Sequence, residues 1–285
     1  MTITAGEALR KAAGLLAGSG VDSPKLDARL LLAEVMGWPS QALEARPELE
    51  LSDEQAARFD SLIRRRAQRE PVCQILEQRG FWTLDLRVTG DTLAPRPDTE
   101  TLVDAVLEGV QDKKYPLRIL DLGTGSGCLL LALLSEFPNA TGIGVDISEK
   151  ALAVARHNAR ASGLEVRAEF IKSDWGRALG DGLFDIVVSN PPYIADAEIE
   201  TLEPEVAQWE PRLALSGGED GFDCYRAIIP ELPRLMCDDG FAFLEVGMGQ
   251  SPKVVAMADE AGLLVKGVRR DLGGIERCVV AGKVN

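Results

Sequence analysis

The residues whose types and order best suit chemistry are Asn190-Pro191-Pro192-Tyr193. They follow Phe184-Asp185-Ile186-Val187-Val188-Ser189, an apolar, β-branched-rich run that reads as a buried strand. A rigid turn carrying one amide and one aromatic ring therefore stands at a strand's carboxyl end. Pro191 disfavours the helical region for Asn190, and the two prolines fix φ and remove two backbone donors. What remains is acceptors: the Asn190 side-chain oxygen and the carbonyl beside it. A planar NH2 group has two hydrogens to give, and the Tyr193 ring can pack on the flat face of the group bearing that nitrogen. All four residues are candidates for catalysis and for substrate binding. The plain alternative is a proline-rich loop with a turn-forming Asn, and the residues upstream decide between the two.

Upstream, Asp121-Leu122-Gly123-Thr124-Gly125-Ser126-Gly127 follows another strand and opens a helix at Cys128. Three alternate glycines let backbone come close to a ligand at a helix amino terminus, where unpaired N–H groups bind polar or anionic groups. The spacing is G-x-G-x-G rather than the dehydrogenase G-x-G-x-x-G, and an acid, Asp121, precedes it. The next strand ends in Asp146-Ile147, about twenty residues past the glycines, where a carboxylate accepts from both hydroxyls of a ribose. The third ends in Asp174-Trp175, an acid and a flat ring suited to the amino group and face of an adenine. Any one of these carboxylates alone reads as a helix cap. Four consecutive strand ends converging on one crevice, with Asn190 the last, read as a nucleotide-like pocket.

The elements that must position these residues alternate strand and helix from Leu117 onward. Strands are expected at Arg118–Leu122, Thr141–Ile147, Glu169–Ser173, Leu183–Ser189 and Phe241–Val246, with Val265–Arg270 and Arg277–Lys283 closing the sheet as a hairpin around Gly273-Gly274. That is an α/β, doubly wound, mostly parallel sheet of seven strands. Before it, residues 1–76 read as a small all-helical domain. Leu9, Ala12, Ala13 and Leu16 mark one apolar face. A second helix starts at Ser23-Pro24, presents Leu26, Leu30, Leu31 and Ala33, and stops near Gly37. A third begins with the capping-box pair Ser52 and Gln55 and presents Ala56, Phe59, Leu62 and Ile63. Residues 77–97 form a hairpin-like link, and residues 98–285 the catalytic domain. In that link Arg96, between two prolines, is a cation whose backbone is held in place, a candidate substrate-binding residue.

The chain of 285 residues carries a net charge of −14, which argues against broad adhesion to nucleic acid, although Arg64-Arg65-Arg66 with Arg69 form a local basic patch. Its five cysteines are scattered without a C-x-x-C pair, so reduced thiols in a cytoplasm are expected, with no metal site. The one histidine, His157, sits in a helical pattern and takes a solvated or packing role. No apolar run approaches the ~18 residues of a membrane helix, and no signal peptide is visible.

The ordered set from Asp121 to Tyr193 resembles the class I S-adenosylmethionine-dependent methyltransferases of Rossmann-like fold, over roughly Leu117 to Lys283. Their Asn-Pro-Pro-Tyr members methylate planar NH2 nitrogens. Within that class the whole chain resembles the peptide chain release factor glutamine methyltransferases. Leu26-Asp27-Ala28, Leu30-Leu31-Leu32, Arg65-Arg66-Ala67, Glu70-Pro71, Phe81-Trp82 and Pro95-Arg96-Pro97-Asp98-Thr99-Glu100 carry the likeness, as do Glu210-Pro211, Gly217-Gly218, Asp220-Gly221 and Glu245-Val246-Gly247 with Gln250. Three positions depart from that pattern. Gln74 and Glu77 stand where the family generally shows Tyr and Gly, and Asp98 replaces the more usual Glu, which touches substrate docking more than cofactor binding.

The resemblance implies transfer of a methyl group from S-adenosylmethionine, leaving S-adenosylhomocysteine, to the side-chain amide nitrogen of the glutamine in a release factor's Gly-Gly-Gln tip. It implies cofactor contacts at Asp121, Gly123, Thr124, Gly125, Ser126, Gly127, Asp146, Ile147, Asp174, Trp175 and Asn190, and a helical domain that docks the protein substrate. A cytoplasmic monomer with release factors as partners, and neither membrane nor nucleic acid, is the expectation. Three rivals are a ribosomal-protein glutamine methyltransferase, an exocyclic-amine methyltransferase acting on adenine or cytosine in RNA or DNA, and a NAD-dependent dehydrogenase or nucleotide-binding module. The last leaves Asn190 to Tyr193 without a task.

Overall fold

Residues 3–283 are described by a computed structural model. The chain divides into two compact units, one running to Gln78 and joined by Glu203–Trp209, the other made of Arg79–Leu202 and the chain from Glu210 on.

The first unit is helical: α1 (Ala5–Gly18), α2 (Pro24–Met36), α3 (Ser40–Glu44), α4 (Asp53–Ala67) and α5 (Val72–Ile75). Capping boxes start α1, from Thr4 and Glu7, and α4, from Ser52 and Gln55, each satisfying two backbone N–H groups that a helix start leaves open. Pro24 opens α2, and Gly37 closes it at φ +65°, a left-handed conformation that glycine adopts without a Cβ clash. The buried stripe of α2 is Ala28, Leu31, Leu32 and Val35. Leu26, expected on that stripe, is 44% exposed. It lies two residues before Ala28, about 200° round the helix, so the apolar residue type was the weaker guide there.

Arg66 falls on the core stripe of α4 with Phe59 and Ile63, and a buried guanidinium needs partners on every side. Its Nε donates to Asp27 at 2.7 Å, its Nη2 to Glu205 at 2.7 Å and its Nη1 to the Glu70 carbonyl at 3.3 Å. Arg69 donates twice to Glu205, Arg64 pairs with Asp60 and Arg65 with Glu70. The arginine run that reads as a basic patch is thus neutralised by acids of its own unit. Burial alone raises the proton affinity of Glu205, but the hydrogen bonds from Arg69 and Arg66 outweigh it and hold that carboxyl below its usual range. Gln74 is buried and donates to the Trp209 carbonyl at 3.1 Å, while the Trp209 indole donates to the Gln68 carbonyl. Glu203–Trp209 is therefore tied into the helical unit by side chains that no local pattern announces.

The second unit opens with a hairpin, β1 (Arg79–Phe81) and β2 (Leu84–Leu86), turning at Trp82-Thr83 with Trp82 at φ +55°. Its turn is held by Glu100, which accepts from the Trp82 N–H, and by Glu136, which accepts from the indole N–H. Helix α6 (Glu100–Gly109) follows a short 3-10 turn at Pro97–Thr99. Then come β3 (Arg118–Leu122), α7 (Cys128–Glu136), β4 (Thr141–Asp146), α8 (Glu149–Ala161), β5 (Ala168–Lys172), β6 (Phe184–Ser189), β7 (Met236–Glu245), β8 (Leu263–Arg270) and β9 (Glu276–Lys283). These strands make one seven-stranded sheet in the order β5-β4-β3-β6-β7-β9-β8. The first five run parallel, and β9 pairs antiparallel with both β7 and β8.

Successive strand residues point to opposite faces, so both faces of the sheet carry a core. Ile119, Ile186, Val188 and Phe243 pack with α6, α7 and α8 on one side. Leu120, Leu122, Val187 and Leu244 pack on the other with Tyr225, Leu232 and Val254. From β3 the chain winds outward through β4 and β5, then returns to β6 on the opposite flank. The crevice between β3 and β6 is the topological switch point, where open α/β sheets bind ligands.

One polar side chain locks this unit from inside. Asn158 of α8, 1% exposed, accepts from the Arg87 N–H at 2.8 Å and donates to the carbonyls of Arg87 and Ser126 at 3.0 and 2.9 Å. It pins the glycine turn before α7 to the segment after β2. Asn158→Ala removes three hydrogen bonds, of which the one to the Ser126 carbonyl is fully buried, and a loss of ~1–3 kcal/mol is expected in urea unfolding. A loss under ~0.5 kcal/mol would refute this role.

Candidate functional site

A cavity of about 320 Å³ opens at the carboxyl ends of β3, β4, β5 and β6, within the second unit. That volume suits a ligand of nucleoside size. The site is built from the turns those strands enter.

After β3 the chain turns back through Gly123, Gly125 and Gly127 at φ +74°, +55° and +83°. A Cβ on Gly127 would stand 3.2 Å from the Ala155 Cβ, and one on Gly123 would stand 3.3 Å from the Trp175 ring. The turn is therefore restricted both in conformation and in space. The N–H groups of Gly123 and Thr124 donate to the Val145 carbonyl, each at 2.9 Å, which ties the turn to the end of β4. Asp121 Oδ2 accepts from the Thr124 hydroxyl at 2.7 Å, while Oδ1, also buried, has no hydrogen-bond partner among the described residues. Burial pushes the Asp121 carboxyl up to about 7. Thr92, which lines the cavity, carries in Oγ1 a second buried oxygen without a partner among the described residues. Unpaired buried polar atoms are uncommon in folded proteins, and two in residues that line one cavity fit a polar, hydrogen-bearing ligand.

Asp146 ends β4 with its carboxylate accepting from the Gly125 and Ser148 N–H groups, at 2.9 and 2.8 Å, so the side chain is aimed before any ligand arrives. Burial raises its proton affinity. Ile147, 50% exposed, lines the cavity beside it. Beyond β5, Trp175 takes φ +52° at the start of a 3-10 turn and presents its ring to the cavity next to Asp174. Cys128 and Cys224 also line it. Burial pushes Cys128 up to about 12 and Cys224 up to about 11, which makes both neutral packing thiols rather than nucleophiles.

The end of β6 is fixed by the Ser189 hydroxyl, which donates to the Leu122 carbonyl at 2.7 Å. Asn190 and Pro192 then reach the cavity wall, whereas Pro191 is buried and Tyr193 lies away from that wall. The Asn190 Nδ2 donates to the Thr99 hydroxyl at 3.0 Å. Tyr193 instead packs by Gly247 and donates its hydroxyl to Glu245 at 3.3 Å. Gln250 holds the turn from behind, donating to the Tyr193 carbonyl at 2.9 Å and accepting from the Gly247 N–H at 3.0 Å.

Arg96 stands at the wall with its Nη2 donating to both oxygens of Glu210, at 2.9 and 2.7 Å. Asp98 pairs with Arg277 at 2.9 Å. His157 is exposed on α8. Sequence patterns missed Thr92, Thr99, Glu210 and Glu245. For Thr99, Glu210 and Glu245 the one visible signal was membership in Pro95–Glu100, Glu210-Pro211 and Glu245-Val246-Gly247, which carry no periodicity of their own, and Thr92 had none.

A seven-stranded sheet of this order, with a glycine turn, an acid after β4 and Asn190 after β6 around one cavity, defines a methyltransferase of the doubly wound class. Residues 99–213 match the family described as the methyltransferase small domain, and residues 7–76 match the PrmC N-terminal domain. The catalytic domain of hMettl16, solved in complex with the MAT2A 3'UTR hairpin 6, shares the fold at TM-score 0.58 with 14% identity, over 82% of this chain and 83% of that one. Among curated relatives, the release factor glutamine methyltransferase of Rhodospirillum rubrum is 47% identical over 97% of this chain and 84% of its own. That of Caulobacter vibrioides is 44% identical over 99% and 98%. The chain belongs to the release factor glutamine methyltransferase family.

Proposed function

We propose that this chain transfers a methyl group from S-adenosylmethionine to the side-chain amide nitrogen of the Gly-Gly-Gln glutamine in peptide chain release factors, in the cytoplasm. The observation that carries the reading is the Asn190 amide, at the cavity wall with its nitrogen engaged by Thr99 and its oxygen left to accept. Asp121, the turn Gly123-Thr124-Gly125-Ser126-Gly127, Asp146, Ile147, Asp174 and Trp175 would hold the cofactor. The two unpartnered oxygens and the close-packed glycines fit a nucleoside bearing ammonium and hydroxyl groups. When bound, S-adenosylmethionine supplies an electrophilic methyl group.

An amide nitrogen is a poor nucleophile because its lone pair is delocalised, so the protein must orient it. Asn190 Oδ1 and the neighbouring main-chain carbonyl accept the two N–H hydrogens and favour the positive charge that grows on nitrogen. Because the donor would leave as a neutral thioether once its methyl group passes to nitrogen, no residue of the site would be needed as a general acid. The surplus proton leaves to water afterwards. Arg96, at the cavity wall, would contact the incoming peptide, and Tyr193, set behind that wall, would do so only through the turn it anchors.

The test is transfer of labelled methyl from S-adenosylmethionine to purified release factor, beside a Gln-to-Ala variant of its Gly-Gly-Gln tip and beside total RNA. Label on the wild-type factor alone is expected. Label on RNA with none on protein would overturn the substrate.

A further inference from the structure

Among the described residues, four acids line the cavity, Asp91, Asp121, Asp146 and Asp174, and against them stands one cation, Arg96. The acids suit a ligand with ammonium and hydroxyl groups. A guanidinium at the same wall has a different use, because it can only donate, and it donates in a fixed planar fork. What it meets depends on which of its edges is free.

Glu210 decides that. Its side chain is 2% exposed against 41% for Arg96, so a buried carboxylate holds a cation that reaches solvent. Both Glu210 oxygens accept from Arg96 Nη2, at 2.9 and 2.7 Å, and Oε1 also accepts from the Ala94 N–H at 3.4 Å. Burial raises the proton affinity of Glu210, and the guanidinium opposes that rise. The Nη2 amine is thereby taken, whereas Nε and Nη1 have no hydrogen bond among the described residues. The chain around Arg96 is held as well: the Pro95 carbonyl accepts from Arg79 Nε at 3.3 Å, and the Arg96 carbonyl from the Thr99 N–H at 3.1 Å. A guanidinium fastened at one end from the interior and unpartnered at the other is pre-set for an acceptor arriving from solvent.

Resting on the function proposed above, we infer that Glu210 is a positioning residue for the peptide substrate: it takes the Nη2 end of Arg96, so that Nε and Nη1 are left to donate to the main-chain carbonyls beside the target glutamine. The two glycines before that glutamine carry no side chains, so their carbonyls are open to such a fork. The carboxylate of the cofactor is the other acceptor that a lone cation at this wall could take. The exposure of Arg96 favours the peptide, which arrives from solvent, over a cofactor held at the glycine turn.

The experiment uses the full chain with release factor. Glu210→Gln keeps the shape but offers one acceptor where Nη2 uses two, and its NH2 meets that amine donor to donor. The KM for release factor is expected to rise about 10-fold, the scale of a lost hydrogen bond to a charged group, with kcat and the Kd for S-adenosylhomocysteine each within about 2-fold of wild type. Arg96→Gln is expected to raise the same KM by at least as much. In that background Glu210→Gln is expected to change KM by less than about 2-fold, because a residue that acts through another then has nothing to act on. If Glu210→Gln melts early, Glu210→Asp, which keeps the charge but draws it back by one methylene, is read in its place. An unchanged KM, an equal further rise in the Arg96→Gln background, or a loss seated in the cofactor Kd would each overturn the inference, the last by giving Arg96 to the cofactor carboxylate. Absence of methyl transfer by the wild-type chain would instead fail the functional proposal, so the two failures are told apart.

Discussion

Asn190→Ala is expected to reduce methyl transfer to release factor by about 10³-fold, while S-adenosylhomocysteine binds within a few-fold of wild type. On the proposed mechanism Asn190 supplies one of two acceptors for the substrate N–H groups, and that contact strengthens as nitrogen gains positive charge. Losing it therefore costs turnover rather than binding. The groups proposed to hold the cofactor are fastened without Asn190. The glycine turn is tied to the Val145 carbonyl and the Asp146 carboxylate, and Asp146 also accepts from the Ser148 N–H. Single-turnover transfer of labelled methyl measures the first quantity and calorimetry the second. Turnover within ten-fold of wild type would remove Asn190 from the chemistry, and a collapse of cofactor affinity would place it in the cofactor site instead.

Asp121→Asn has the second large effect, with opposite signs for stability and for binding. The Asp121 carboxyl is pushed up to about 7 by burial, against an ordinary value near 3.8. Between those two values the folded chain holds a proton that the unfolded chain has released, so the contribution of this group to stability falls as pH rises through the window. Above it the buried charge is a standing cost. Replacing it with a neutral amide of the same shape is expected to raise the Tm of the ligand-free protein by a few degrees at pH 8, with the gain vanishing toward pH 4. Cofactor affinity moves the other way. Asp121 Oδ1 has no partner within the described protein, and a cationic ligand favours the ionised form, so weaker binding by about 10-fold or more is expected in the variant at pH 8. Melting curves from pH 4 to 8 and calorimetric titration check both halves. A variant less stable at pH 8 than at pH 4, relative to wild type, would mean that Asp121 is not a buried charge in the free protein.

The parts of this molecule legible in its sequence are those written in local patterns. The strands at Arg118, Thr141 and Phe184 announce themselves as short apolar runs. The glycine turn is visible because only glycine takes three left-handed positions in five residues, and the Asn190 turn because two prolines stiffen it. The residues that hold these turns in place are not written that way. Thr99 and Glu245 meet Asn190 and Tyr193 across 91 and 52 residues, Arg96 finds Glu210 across 114, and Asn158 finds Arg87 across 71. A hydrogen bond between distant positions leaves no period and no spacing. Arg66 shows the same limit from the other side: as one of three consecutive arginines it reads as solvated charge, yet it is a core residue because Asp27 and Glu205 come to it from elsewhere in the chain.

The seven residues Glu203–Trp209 carry a practical meaning for anyone dividing this protein. They belong to the helical unit although they are encoded inside the other one, and Glu205 alone accepts from both Arg66 and Arg69. Cutting after Gln78 would look like removal of a domain and would in fact be a partial amputation of one. The amino-terminal fragment would keep a guanidinium buried beside Asp27 with one of its two carboxylate partners gone, a loss of the kind that destabilises strongly. The remaining fragment would carry Trp209 and Glu205 stripped of what they hold, immediately before the Glu210 that fixes Arg96. Gene fusions, fragment complementation and circular permutation should therefore treat this as an inserted-segment architecture, in which neither half is an independent part.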